Sequence, residues 1–479
     1  MSSLDPQTPV LVGVGTASEP AEPAELMALA LEAAAGDAGA RSLLGSIDRI
    51  AVPMGTWSYR DPGRLVAERV GAAGARTHLG EIGISQQTLV SQALRAIGSG
   101  RSEVAVVTGA EARAWARAGG VETPQTDAVP DERHIREPEF FAPAELAAGI
   151  GAPVQQYAMI DNALRRAEGT AVAAHRAQMA DLWARFNAVA RDNPLAAFPA
   201  PRSATDIDTP GPANRPLAFP YNKWHASQWT VDQGAALIVC SADAARRHGV
   251  GSDRWVFPLV GIDANHSVSL SRRRLLHRWP AMEVLGRAAA GRIGRSVAEA
   301  EFIEVYSCFP AAVRVQQREL GLAVDGTPTV TGGMTFAGGP LNNFVYQSTA
   351  AVVAAVRAKP GSLGMVTTVC GLLTKPGLAV WGTEPDGRPP LLDDLGPAAA
   401  RATPEVTVLN EHNGPATVAT YTVTFDPTTM APARLAVIAD TRTGQHCVAV
   451  ADDPVLAAAA TVDEFCGTTV VVRGQFFTA

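Results

Sequence analysis

From Met1 to Val239 this chain of 479 residues contains no cysteine, and the five that follow (Cys240, Cys308, Cys370, Cys447 and Cys466) never stand in CxxC spacing. A zinc site or a disulfide framework needs such clusters, so no metal is expected and the thiols read as the free ones of a cytoplasmic protein. Positive charge is in deficit, with a formal net charge of −7. A nucleic-acid partner, which is held largely by neutralising phosphates, is therefore not expected. Long apolar runs are missing too. Leu237-Ile-Val-Cys240 is typical of those present and far too short to span a bilayer, so no membrane segment is expected. No Lys or Arg precedes the apolar stretch Pro9–Val14, so the N-terminus is not expected to be a secretory signal. Gly13-Val-Gly15 and Gly109-Ala-Glu111 fall at or after strand ends but lack the spacing of a dinucleotide fingerprint, which argues against NAD.

What is present is a chain with 47% hydrophobic residues, enough for a large core and two or three domains. Strand and helix signals alternate at first: strands over Pro9–Val14 and Ile47–Val52, helices over Glu22–Ala38 and Thr88–Gly98. The continuous apolar run from Glu103 to Ala110 is the pattern of a strand covered on both faces. From Ala114 to Tyr221 the pattern breaks into charged, Pro-rich and aromatic stretches with one long helix near Gly169–Arg191, which predicts an insertion. Strand and helix signals then return in the same outline, ending on the strand Gly364–Cys370. This predicts an internally duplicated α/β fold. Residues 1–113 and 222–255 are expected to form the first half, 114–221 an inserted loop domain and 256–388 the second half. Past the Pro-rich stretch at Pro389-Pro390, residues 403–479 read as a small β-domain, either barrel-like of the OB type or another small β-fold.

Several segments together carry a resemblance: Gly332-Gly333-Met334-Thr335-Phe336-Ala337-Gly338-Gly339-Pro340-Leu341, Tyr306-Ser307-Cys308-Phe309, Cys370-Gly371-Leu372, Val231-Asp232-Gln233-Gly234 and Asn214-Arg215-Pro216. They resemble the loops of thiolases, most of all the actinobacterial thiolase-like proteins of type 1 that carry an additional C-terminal domain. The resemblance covers about residues 8 to 385. It implies the αβαβα layering of a duplicated thiolase fold and a CoA thioester as substrate or ligand, with no tightly bound cofactor. Thiolases commonly dimerise through the core sheet, so the resemblance implies a homodimer, or a monomer if the C-terminal domain covers that surface.

The resemblance also marks what is missing. Thiolases carry a nucleophilic Cys in a Cys-x-Ser loop, and counting back from the helix near Thr88 places that Cys on Gly83 and the Ser on Ser85. The His of their Gly-His-Pro loop falls on Gly339, beside Gly338. Tyr306 stands where some members have a His that binds the thioester oxygen, and a phenol can donate such a hydrogen bond or be a buried strand-end residue. Cys370 matches the proton-shuttling Cys of the Cys-x-Gly loop, Gly371 fills its variable position and Leu372 replaces its glycine. Asn343 and Tyr346 follow the Gly-Gly-Pro turn, where an amide can bind an acyl oxygen or cap a helix. Ser85 is either a replacement nucleophile or a helix-start residue. His225, His266 and the run Arg272-Arg273-Arg274 are placed near the substrate by the resemblance, the arginines facing CoA phosphates or solvent. Two readings follow. One is an acyltransferase or C–C bond-forming or bond-cleaving enzyme on CoA thioesters that lacks the usual nucleophile and base. The other is a non-catalytic protein that binds an acyl-CoA or a partner chain.

Overall fold

The computed structural model describes residues 4–135 and 140–479; residues 1–3 of the expected first half and 136–139 of the expected insertion lie outside the described residues. The first sheet is built from β1 (Pro9–Ala17), β2 (Arg49–Pro53), β3 (Arg76–Gly80), β4 (Val104–Ala112) and β5 (Glu132–His134). Two short strands, β6 (Pro216–Ala218) and β7 (Tyr221–Asn222), belong elsewhere, and β8 (Asp232–Ser241) closes the first sheet in the order β1-β8-β4-β2-β3-β5. The second sheet takes β9 (Phe257–Asp263), β10 (Phe302–Glu304), β11 (Leu363–Cys370) and β12 (Lys375–Gly382) in the order β10-β11-β12-β9.

Helices Gln86–Gly98 and Phe344–Ala358 lie between the two sheets, Pro23–Asp37 covers the outer face of the first and Pro280–Ile293 the outer face of the second. The result is the αβαβα layering of a thiolase fold, as the duplicated pattern predicts. Every residue of β4 is buried, which is why its sequence is apolar without alternation. Gly13 and Gly15 have a packing role: a Cβ on either would come within 2.2 Å of a carbonyl oxygen of helix Pro23–Asp37. Only glycine lets that helix lie so close to the strand.

The C-terminal strands β13 (Val408–Leu409), β14 (His412–Phe425), β15 (Pro432–Thr441), β16 (His446–Ala451), β17 (Thr469–Gly474) and β18 (Phe476–Thr478) include a closed five-stranded ring, β14-β15-β16-β18-β17. Tyr421, Val423, Leu435, Val437, Val470 and Val472 fill it with a core of its own. The barrel is nonetheless stitched to the insertion. β6 pairs with β14, Phe219 N donates to Val423 O (2.9 Å), and Asn162 Nδ2 donates to Tyr421 O (3.0 Å). The buried Arg165 makes a two-pronged ion pair with Glu464 at 2.7 and 2.8 Å.

Among the elements not foreseen, three bear on the site and its surroundings. Helix Pro153–Glu168 buries polar residues, among them Asp161, Asn162 and Arg165, so its sequence lacks a clean apolar stripe. β12 begins Lys-Pro-Gly, a pattern that argues against a strand, yet it is paired on both sides, by β11 and β9. β5 lies in the insertion and adds parallel to β3 at the edge of the first sheet. The edge of β3 is thus covered by the insertion and not by the C-terminal barrel. Among the described residues no helix is long and apolar enough to cross a membrane.

Candidate functional site

Four loops converge around the ends of the inner elements: 83–86, 306–309, 338–345 and 370–375. Each is tied to another by a specific contact. Gln86 Oε1 accepts from Val345 N (2.9 Å), joining the starts of the two central helices. Gly339 N donates to Gln228 O (2.9 Å), and Ser227 N donates to Cys308 O (2.9 Å). Lys375 Nζ reaches Gly83 O at 3.5 Å.

Tyr306 and Cys370 are brought together. Tyr306 follows β10 and is 8% exposed. Its amide donates to Thr367 Oγ1 (2.9 Å) and its carbonyl accepts from Gln316 Nε2 (2.8 Å), while its ring stands edge-on to Phe344. The phenol donates to Leu341 O at a long 3.5 Å, in the loop that carries Gly339. Burial, and the neighbouring thiols of Cys308 and Cys370, hold its pKa well above the ordinary value. Cys370 ends β11 with intermediate exposure, and burial pushes its thiol up to about 11 although Lys375 pulls it down. Both groups are therefore protonated at neutral pH and enter chemistry as donors.

Around Gly83, Gly338 and Gly339 the backbone is closely packed. A Cβ on Gly339 would stand 1.9 Å from Ser227 Oγ, and one on Gly338 (φ +108) 2.3 Å from Gln233 Oε1. Gly83 has φ +103 and holds the tight turn before the helix. Ser85 is the residue before helix Gln86–Gly98, yet its hydroxyl makes no capping bond. The Oγ is buried and finds no hydrogen-bond partner among the described residues.

Asn343 is 1% exposed and turns toward the first sheet; in the orientation its neighbours require, its amide donates to Gly109 O (2.8 Å) and accepts from Ala235 N (3.3 Å). Tyr346 is fully buried on the inner helix, with its hydroxyl lacking a partner among the described residues.

The loop after Cys370 is the strained part of the site. Gly371, Leu372 and Leu373 follow one another at φ +63, +63 and +58. Leucine in the left-handed region is uncommon and costs conformational energy. The loop keeps a glycine-like backbone although Leu372 stands where the resemblance expects glycine. Arg273, itself buried, fixes it by donating to Leu372 O (2.7 Å) and Val268 O (3.0 Å). Burial lowers the Arg273 pKa to about 10.

The flanking arginines are also engaged: Arg272 pairs with Glu405 (2.7 Å), and Arg274 donates to Gly444 O (2.6 Å). The run ties loops and barrel together, with Arg273 buried and the side chains of Arg272 and Arg274 still exposed. His225 is fully buried, its Nδ1 accepting from Asn222 N (3.1 Å), and burial lowers it to about 4. His266 lies at the outer side of the Leu373–Thr374 turn, where its carbonyl accepts from Thr374 Oγ1 (3.1 Å). Lys375 is the residue of this region that the sequence motifs do not single out. The available signal was its rarity, since the chain has lysine only at positions 223, 359 and 375.

Comparisons agree with this geometry. No protein-family model matches the sequence, and no curated protein matches it. Among solved structures, a monomeric SCP2-thiolase like protein type 1 from Mycobacterium smegmatis is 28% identical, with 98% of each chain covered and a TM-score of 0.85. An Ltp2–ChsH2(DUF35) aldolase is 20% identical over 80% of this chain and 100% of that chain (TM-score 0.62). The acetyl-CoA acetyltransferase of Syntrophomonas wolfei is 16% identical over 78% of this chain and 99% of that chain (TM-score 0.56). The last two show the fold alone; the first extends through the C-terminal barrel as well. The chain is a member of the thiolase superfamily.

Proposed function

We propose that this protein acts on CoA thioesters by stabilising an enolate, as an acyltransferase or as an enzyme that forms or cleaves a C–C bond, without an acyl-enzyme intermediate. The observation that carries this reading is the meeting of Tyr306 and Cys370, two protonated donors, beside the loop of Gly339. Breaking a bond α to a thioester needs a donor to the carbonyl oxygen and a proton carrier for the α-carbon. Tyr306 suits the first task and Cys370 the second. No cysteine stands at the nucleophile turn, where Gly83 and Ser85 lie. The likeness to an aldolase of the same fold supports C–C chemistry as an option. Residues 403–479 are proposed as the additional domain. A monomer is the proposed state, supported by β5 on the sheet edge and by the monomeric relative. A cytoplasmic location goes with the free thiols.

The test is incubation with acetyl-CoA and a panel of longer, 3-oxo and 3-hydroxy acyl-CoA thioesters, following free CoA, aldehyde and ketone. Release of any of these at a rate above buffer supports the reading. A second reading, a non-catalytic binder of acyl-CoA, draws on one observation: the space of the lost His is occupied by Ser227. Binding by calorimetry without any turnover would select it.

A further inference from the structure

The side chain of Lys375 is the most unusual charge in the molecule. The residue is 2% exposed, and no carboxylate lies within ion-pair distance of its ammonium among the described residues. Its contacts are Gly83 O at 3.5 Å and the Phe140 ring, with centroid 5.9 Å away. A buried ammonium with one carbonyl acceptor and one ring is poorly compensated for lost hydration. Such a charge weakens the fold unless something with negative charge completes it.

Its position says what that is. Lys375 is the cross-strand partner of Cys370 in the β11–β12 hairpin. Its Nζ is directed at the turn of Gly83, two residues from the buried, unpartnered hydroxyl of Ser85. Two donors thus lie at the turn where thiolases are expected to hold the reacting acyl group: the Ser85 hydroxyl has no partner among the described residues, and the Lys375 ammonium has one long carbonyl contact and no carboxylate. Leu372 and Gly339 meanwhile stand where the family's own glycine and histidine are missing.

We propose that Lys375 is an oxyanion-binding residue, its ammonium pairing with the thioester oxygen of a bound acyl-CoA as that oxygen takes on enolate charge. The proposal rests on the CoA-thioester reading above. In the cleavage direction a 3-hydroxyacyl thioester gives its hydroxyl proton to water as the Cα–Cβ bond breaks; the pair of that bond moves to the thioester oxygen, where Lys375 stabilises it, and the β-carbon leaves as an aldehyde or ketone carbonyl. The Cys370 thiol then gives its proton to the α-carbon, the pair on oxygen returns to re-form the carbonyl, and the sulfur keeps its own pair as a thiolate beside the same ammonium. The hydronium formed in the first step returns a proton to sulfur. In D2O the proton transfer between Cys370 and the α-carbon, run backward and forward, exchanges the α-hydrogens of acetyl-CoA or propionyl-CoA.

The experiment compares the full-length protein with Lys375→Met and Lys375→Arg, reading propionyl-CoA binding by calorimetry, α-hydrogen exchange by mass spectrometry, and melting temperature. Lys375→Met should keep Kd within about threefold and slow exchange by roughly a hundredfold or more, the scale of a lost oxyanion donor. Lys375→Arg should recover part of the rate. The melting temperature of the Met variant should stay level or rise, because an uncompensated buried charge has been removed. Wild-type exchange that survives unchanged in the Met variant overturns the proposal alone. A Met variant that melts several degrees lower also overturns it, since the ammonium would then be a structural tether for Gly83 O. A wild-type protein that binds no thioester overturns the CoA reading, and the proposal with it.

Discussion

Ser227 Oγ stands 1.9 Å from the point that a Cβ on Gly339 would occupy. Any side chain at position 339 would therefore meet the Ser227 hydroxyl, which must turn aside to admit it. Ser227 is held by its own amide on Cys308 O (2.9 Å), and Gly339 by its amide on Gln228 O (2.9 Å).

Restoring the histidine should accordingly need two changes. Gly339→His alone is expected to overpack the loop and cost about 1–3 kcal/mol in urea unfolding. Adding Ser227→Gly should recover at least half of that loss. A double-mutant cycle with no coupling between the positions would contradict the steric argument.

The catalytic reading predicts that Cys370→Ala and Tyr306→Phe each slow any thioester turnover by roughly a hundredfold. Each removes few atoms, so the melting temperature should shift little. Two fully active variants would leave the site elsewhere.

Cysteine alkylation tests the thiol directly. With Cys370 pushed up to about 11 by burial, only about one thiol in a thousand is ionised at pH 8. Iodoacetamide should label it slowly there, and the rate should climb about tenfold per pH unit up to pH 10. Fast labelling at pH 7, or thiolase turnover that iodoacetamide abolishes, would refute this assignment.

Glu304 offers a pH test of the fold behind the site. Its carboxylate sits at the end of β10 and accepts from Val330 N (2.7 Å), Thr331 N (2.9 Å) and the hydroxyls of Thr329 and Thr331 (3.0 Å each). Burial nevertheless pushes it up from 4.5 to about 7. The folded state thus holds the proton more tightly than the unfolded chain. Its stabilising contribution is complete below about pH 4.5, shrinks as pH rises, and is lost above about pH 7. The stability difference between wild type and Glu304→Gln should fall by up to about 3 kcal/mol across that window. A difference independent of pH would show that Glu304 does not titrate there.

The barrel supplies a last test. Arg165→Ala leaves Glu464 without its guanidinium and empties a buried site, so the cost should be about 3 kcal/mol by denaturant unfolding. A change below 0.5 kcal/mol would mean that the barrel is held by its β6–β14 pairing and core contacts alone.

What the sequence by itself determined is what short-range pattern encodes. The all-apolar run of β4, the alternation of strand and helix in both halves, and the apolar C-terminal strands each fix a local element, and their repetition fixes the layered fold. The absence of cysteine before Cys240 is itself legible in the sequence, and it is what argues against an acyl-cysteine at the turn of Gly83. Tertiary structure decided everything that depends on residues far apart in the chain. The Lys-Pro-Gly start of β12 becomes a central strand because β11 and β9 claim both its edges. Asn343 is turned to Gly109 and Ala235 because the first sheet offers it a donor and an acceptor. Arg273 is held in the interior by Leu372 O and Val268 O, although its run of three arginines reads as a surface feature. Lys375 meets Gly83 across 292 positions of chain, and no periodicity of the sequence can announce such a contact. Local pattern reports which face of an element is apolar; which polar groups are buried together, and left unsatisfied, is settled only when the elements pack.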